Sequence, residues 1–374
     1  MIIGVDGNEA NIEKRVGVNV YAFELLRSIY GLADEWKDRH RFVVYLNSSP
    51  RGDMPKETDY WKYKIIPGRG LWILRKLTPS LLRDKGRPDI FFTPSHYAPP
   101  ISKIPVYCSI MDLGYLDTSV HFRKFDYWQL RLWSAWSMKM ARKVFAISRS
   151  TKEDIVRHYP SLKDKVVVTH LGYDRAKFNS DIPQTEVVRV KSSYGIGGDY
   201  LLFISTLKPS KNVSALLKAF KTISGEFRGY SLVIAGKKGW MYDDVFAEVK
   251  AQNLESRVIF TDYILEVDKP GLIAGARVFV LPSFWEGFGI DALNAMACGV
   301  PVVVSGVGSL PEVVGDAGIL VDPKSVESIA GGLKKILKAD KKEYNEFVKR
   351  GLTQAENFSW EKCARETLRG LGVI

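Results

Sequence analysis

Across residues 200–338, short apolar runs rich in β-branched side chains alternate with stretches of helical period. This alternation constrains the fold more than any other feature of the chain. The runs cover 200–205, 231–236, 257–261, 278–283, 300–305 and 318–322. Their side chains are apolar almost without interruption, as strands covered on both faces of a parallel sheet require. Over 212–227, Val213, Leu216, Leu217, Phe220 and Ile223 recur at helical spacing, which predicts an amphipathic helix with Asn212 as its N-cap. Strand and helix repeated this often predict a doubly wound α/β domain.

The N-terminal half follows the same grammar more loosely. Candidate strands lie at 2–5, 41–46, 89–93, 106–110 and 143–148, and candidate helices at 18–30 and 125–142. The Trp-rich 125–142 segment reads as a packing helix. The basic, amphipathic 70–83 segment reads as a pair of core-covering helices interrupted at Pro79. Residues 176–198 carry turn formers and little periodicity, so the interdomain connection is expected there. A chain of 374 residues exceeds what one core usually serves. Two Rossmann-like domains are therefore expected, 1–182 and 183–355, their parallel sheets facing each other across a ligand-binding cleft.

No stretch has the roughly 18–20 uncharged apolar residues of a membrane-spanning helix. The N-terminus reads as a buried strand and lacks the basic and apolar regions of a signal peptide. Cys108, Cys298 and Cys363 are scattered and odd in number, which points to a reducing, cytoplasmic setting. The formal charge is +12, and residues 1–185 hold 30 basic against 20 acidic side chains, leaving +10 there. A basic first half suits an anionic or membrane-associated partner, with peripheral attachment at the inner membrane surface. No basic–aromatic recognition motif accompanies the charge, so nucleic acid is not expected. His40, His96, His121, His158 and His170 show no ligand spacing, and no metal is expected.

The sharpest motif follows the 278–283 run. Gly287 and Gly289 let backbone approach a ligand closely, and the helix that then begins directs free N–H groups and its positive end outward. That arrangement suits the diphosphate of a sugar nucleotide, and Glu286 beside it suits sugar hydroxyls. A tight turn with a solvated glutamate is the plainer alternative. Ser205 closes the 200–205 run, and Thr206, Lys208 and Lys211 follow it. A lysine at a helix N-terminus gains nothing from the helix dipole unless an anion shares the site. In the first half Gly17 precedes a helix, and Asp112 closes the 106–110 strand, where a turn or capping role is the commoner one.

Together these residues resemble a known family. Glu286-Gly-Phe-Gly, Ala295-Met-Ala-Cys-Gly-Val-Pro and Ser309-Leu-Pro-Glu-Val-Val-Gly-Asp-Ala-Gly look like the donor domain of the retaining glycosyltransferases of family 4, also called group 1, with the GT-B fold. Lys208-Pro-Ser-Lys-Asn and Leu232-Val-Ile-Ala-Gly-Lys-Lys-Gly-Trp resemble its preceding loops. The likeness extends more loosely over 1–175, and residues 356–374 resemble the family's last helix, which crosses back to the first domain.

The resemblance implies hexose transfer from a nucleoside-diphosphate sugar, UDP- or GDP-linked, to a glycan or lipid-linked acceptor, without a required metal or cofactor. It assigns catalytic roles to Glu286, Lys211 and Asp112. Donor contacts fall to Gly287, Phe288, Gly289, Ile290, Asn294, Lys208, Thr206, Ser205, Gly236, Tyr263, Ile264, Gly17 and Met111, with the base near Tyr263 and Ile264. Glu286 and Lys211 are expected to face each other across the domain cleft. The chain departs from the family pattern at Met111, Ser210, Asp291 and Asn294. These departures keep a second reading open: a GT-B scaffold that binds nucleotide sugar or a partner without turnover.

Overall fold

Runs of β-branched residues that are apolar on both faces bury best when they pair in parallel beneath helices on each side. A computed structural model, describing residues 1–117, 124–237 and 243–374, contains two such sheets. His121 and the Lys238-Gly-Trp240 part of the loop motif lie outside the described residues. The chain forms two compact units, residues 1–172 with 359–374, and residues 173–358.

Among the described residues the first unit has seven parallel strands: β1 Ile2–Asp6, β2 Arg41–Leu46, β3 Trp61–Ile65, β4 Ile90–Thr93, β5 Val106–Ile110, β6 Lys143–Ala146 and β7 Val166–Val168. They lie in the order β3-β2-β1-β4-β5-β6-β7. The two edge strands, β3 and β7, escape the sequence pattern for a physical reason. Trp61–Ile65 alternates large apolar residues with lysines, as an edge exposed on one face does, and only Trp61 is buried. β7 is three valines long. Around β2 and β3, Trp36, Phe42 and Trp61 pack ring to ring, with Phe42 stacked on Trp61 at 5.4 Å.

Two helical expectations need correction. Segment 70–83 is one run: a wide turn, Ile73–Leu77, passes directly into the helix Thr78–Arg83 with Pro79 in its first turn. The wider turn accommodates the proline, and Thr78 Oγ1 donates to Ile73 O at 2.7 Å. The helix Lys124–Met140 is packing on one side only. Trp133 donates its indole N–H to Ala98 O, and Met138 is fully buried, while Trp128, Leu132, Trp136 and Met140 point outward. The last helix, Trp360–Leu371, belongs to this unit, capped by Ser359 and packed with Trp360 against Tyr21. Further along, Gly370 lets the same helix lie against Phe145, since a Cβ there would lie 2.3 Å from that ring.

The second unit has β8 Asp199–Ile204, β9 Tyr230–Ala235, β10 Val258–Asp262, β11 Val278–Leu281, β12 Val302–Ser305 and β13 Ile319–Val321, ordered β10-β9-β8-β11-β12-β13 and all parallel. A helix, Gln184–Ser193, occupies the stretch expected to be a bare connection. It is held by two valines on one face. Val187 and Val190 press on Gly275 and Gly271, where a Cβ would approach within 2.7 and 2.9 Å.

Candidate functional site

In the second sheet the winding direction reverses between β8 and β11, so the loops leaving their carboxyl ends emerge side by side. The β8 loop carries Ser205 to Asn212 and the β11 loop Pro282 to Gly289. Three bonds join them. Phe284 N donates to Ser210 O at 2.9 Å, Asn212 Nδ2 to Pro282 O at 3.0 Å, and Lys211 Nζ to Glu286 Oε1 at 2.7 Å. Asn212 is not the side-chain cap that the helical pattern predicts. It sits before the helix Val213–Ser224 in the left-handed conformation, φ 58°, and its amide also reaches Pro323 O at 2.6 Å. Nor do Glu286 and Lys211 belong to different domains, because both loops leave one sheet.

Glu286, in the loop after β11, is held at both its side chain and its backbone. Ser283 Oγ donates to the same Oε1 at 2.7 Å, and Ser309 Oγ donates to the Glu286 carbonyl at 2.9 Å. Ser305 Oγ in turn ties Ser283 O at 2.6 Å. Gly308, φ 62°, lets the backbone pass, since a Cβ would lie 2.9 Å from Glu286 O. The Lys211 and Glu286 side chains are 18% and 13% exposed, so the pair is shielded yet reachable. Among the described residues both of its side-chain partners engage Oε1, leaving Oε2 as an acceptor for a ligand hydroxyl.

The loop then enters the helix Ile290–Ala297 through Gly289, φ 88°, with no side-chain cap. Its first N–H groups are left for other acceptors. A Cβ at Gly289 would strike Leu310 Cδ2 at 2.4 Å. Phe288 is buried and meets Phe358 edge-on. Asp291, one of the departures, is neutralised by Lys269, Nζ to Oδ1 2.5 Å. Burial pulls the Lys269 ammonium down, but Asp291 and Glu266 together hold its pKa above the ordinary value. Asn294 is buried and donates to Asp291 at 3.4 Å, while its Oδ1 has no partner among the described residues.

Around this centre, Gly236 follows β9 at φ 137°, and a Cβ there would lie 2.0 Å from Ser205 O. Ser205 and Thr206 are half-buried, Lys208 is exposed and Ile264 is buried. Lys237 stands over the Tyr263 ring at 4.9 Å. Ser283, Ser305, Ser309 and Lys269 are the site residues that sequence reasoning missed. Only Ser283, three residues before Glu286, left any local signal.

In the first unit, Gly17 follows β1, while Met111 and Asp112 follow β5, and β4 lies between these two strands in the sheet. Gly17 needs its φ of 54° to start the helix Val18–Gly31, with open space where a Cβ would be. Met111 is buried, and Asp112 Oδ1 accepts from Gly114 N at 2.9 Å, a turn contact. His96, set aside in the sequence as scattered, follows β4. Its Nδ1 is buried without a partner among the described residues. Burial holds its imidazole below the ordinary pKa, with Asp112 pulling the other way. Asp6, at the end of β1, is pushed up to about 7 by burial. Among the described residues no group of three or more His, Cys, Asp or Glu is placed to hold a metal ion.

Two family models match the chain: "Glycosyl transferases group 1" over residues 189–354 and "Glycosyltransferase Family 4" over residues 25–177. The O-antigen chain mannosyltransferase B of Escherichia coli is 38% identical over 244 residues, 64% of this chain and 62% of that protein. A serotype-specific mannosyltransferase of the same organism, WbdA, is 28% identical over 233 residues, 62% of this chain but 28% of its own length. The chain thus spans under two thirds of either relative. Among solved structures, Anabaena HepE in complex with UDP and glucose superposes with a TM-score of 0.75 at 17% identity, covering 100% of this chain and 99% of that one. That likeness bears on the fold, two Rossmann-like domains of the GT-B kind.

Proposed function

The chain belongs to the group 1, family 4 glycosyltransferases, and from that premise we propose that it transfers a hexose from a nucleoside-diphosphate sugar to a glycan. The observation that carries this reading is the shielded Lys211–Glu286 pair, stitched between the two loops that flank the switch point of the second sheet. Lys211 has three N–H donors and spends one on Glu286, so two remain for a diphosphate. The open N–H groups of the helix Ile290–Ala297 and the exposed Lys208 add to the same positive field. Glu286 Oε2 accepts from hydroxyls of the sugar.

The reaction proposed is retaining. As the anomeric C–O bond to the diphosphate breaks, charge collects on the departing oxygens, where Lys211 and the helix N–H groups stabilise it. The acceptor oxygen bonds to the anomeric carbon on the face the diphosphate leaves, and its proton passes to a phosphate oxygen. A donor carried on UDP or GDP, bound near Tyr263 and Ile264 without a metal, fits the family. HepE was solved with UDP and glucose, and the named E. coli relatives put mannose first among the hexoses. The acceptor is proposed to be a lipid-linked or cell-surface glycan of the O-antigen kind, bound by the basic first unit with Asp112 among its contacts. The work is proposed to be done at the cytoplasmic face of an anionic membrane.

The alternative of a scaffold without turnover is not favoured. Asp291, the departure most hostile to an anion, is answered by Lys269. Thermal shift and transfer assays with UDP-, GDP- and ADP-sugars test the reading, and the anomeric configuration of the product tests retention. The reading fails if no nucleotide sugar binds at about millimolar concentration or below and none is hydrolysed or transferred.

A further inference from the structure

Trp128, Leu132, Trp136 and Met140 recur every four residues along the helix Lys124–Met140, and such a row forms one stripe on a helix surface. They are 51%, 63%, 50% and 45% exposed, although the opposite side of the same helix is buried through Ser134, Ser137 and Met138. Trp136 donates its indole N–H to Pro100 O at 2.9 Å, which brings the 62% exposed Ile101 beside the stripe. Contiguous large apolar groups of this kind mark an interaction surface, whereas single exposed ones do not.

The charges around the stripe select the occupant. Residues 127–146 contain Arg131, Lys139, Arg142 and Lys143 and no acidic residue, and Lys103 follows Ile101 on the neighbouring loop. The Arg131 guanidinium stands 5.2 Å over the Trp128 ring, so charge and aromatic face are presented together. A second copy of the helix laid on this stripe would oppose lysines and arginines with one acidic residue in its sequence, Asp126, to answer them. An anionic lipid surface answers them all. Tryptophan favours the headgroup level, and basic side chains reach phosphate while their stems stay in the apolar layer. No helix among the described residues is long and apolar enough to cross a membrane, so a bilayer would meet this one side-on.

We propose that the Trp128–Leu132–Trp136–Met140 stripe, with Ile101 and the surrounding lysines and arginines, docks the chain on an anionic lipid bilayer. This deepens the membrane-linked acceptor reading above and names the surface responsible. The test is co-sedimentation of the full chain with phosphatidylcholine vesicles, with and without phosphatidylglycerol. Tryptophan emission is followed in parallel. The parent binds the anionic vesicles with a blue-shifted emission, and high salt weakens binding. Leu132→Glu, at an exposed position, lowers partitioning by about tenfold or more while thermal unfolding and nucleoside-diphosphate binding stay at parental values. Leu320→Glu, an exposed apolar residue of the second unit, leaves partitioning unchanged. The proposal is overturned if Leu132→Glu partitions like the parent. It is equally overturned if the stripe instead drives a dimer that Leu132→Glu dissociates without any vesicle binding. Neither outcome touches transfer to a water-soluble acceptor, so the docking surface and the transferase reading fail separately.

Discussion

Replacing Lys211 with methionine keeps the length of the side chain and removes its charge. In the parent, the ammonium lies 2.7 Å from Glu286 Oε1, with both side chains mostly shielded. At an effective dielectric near 20, the gross attraction of two such charges is about 6 kcal/mol. Desolvation cancels most of it, which leaves a coupling of about 1–3 kcal/mol. Lys211→Met therefore destabilises the chain by about 1–2 kcal/mol, since Glu286 retains the Ser283 hydroxyl. On the proposed mechanism, loss of this cation lowers turnover by about 100- to 1000-fold. Diphosphate affinity also falls, because an unneutralised carboxylate then borders the anion site. The double variant Lys211→Met/Glu286→Gln gives a sign that a merely structural pair would not. It recovers part of the diphosphate affinity and none of the turnover. Denaturant unfolding, calorimetric titration of UDP and GDP and a transfer assay read the three quantities. A coupling below about 0.5 kcal/mol, or single-variant diphosphate affinity within about twofold of the parent, refutes the reasoning.

Three further outcomes follow from the geometry. Asp6 has its pKa raised from 3.8 to about 7 by burial, so the unfolded chain ionises first as pH rises; stability is full below the ordinary value and is lost through about pH 7. Asp6→Asn removes a penalty of up to about 4 kcal/mol at about pH 8, and a parent whose stability is flat between about pH 5 and 8 would contradict this. Gly236→Ala forces a Cβ onto Ser205 O and costs about 3 kcal/mol or more with weakened nucleotide binding, whereas Gly225→Ala, at φ −69° with open space around it, is neutral or stabilising. Asn212→Ala, judged by denaturant midpoint, loses both carbonyl bonds and the tolerance for a left-handed backbone, for about 2–4 kcal/mol; Asn212→Gly recovers about 1 kcal/mol of that.

The sequence alone determined the class of fold and marked out the loops that follow β8 and β11, because both are written in local pattern. Runs such as 278–282 and 300–304 are apolar at every position, and that pattern suits a sheet covered on both faces. Gly287 and Gly289 sit between a strand and a helix within a few residues of each other. The edge strands of the first sheet were illegible: β3 alternates because one of its faces is exposed, and β7 is too short to carry a pattern.

What only the tertiary structure decided is which groups meet. Lys211 and Glu286 are 75 residues apart, and Asn212 and Pro323 are 111 apart. Local periodicity extends over a turn or two and cannot specify such partners. The strand order puts β8 beside β11, and that neighbourhood converts a lysine and a glutamate into a pair. The same holds for Lys269, which makes Asp291 compatible with an anion site. It also holds for the helix Lys124–Met140, where Trp133 and Trp136 donate to the carbonyls of Ala98 and Pro100, 35 and 36 residues away.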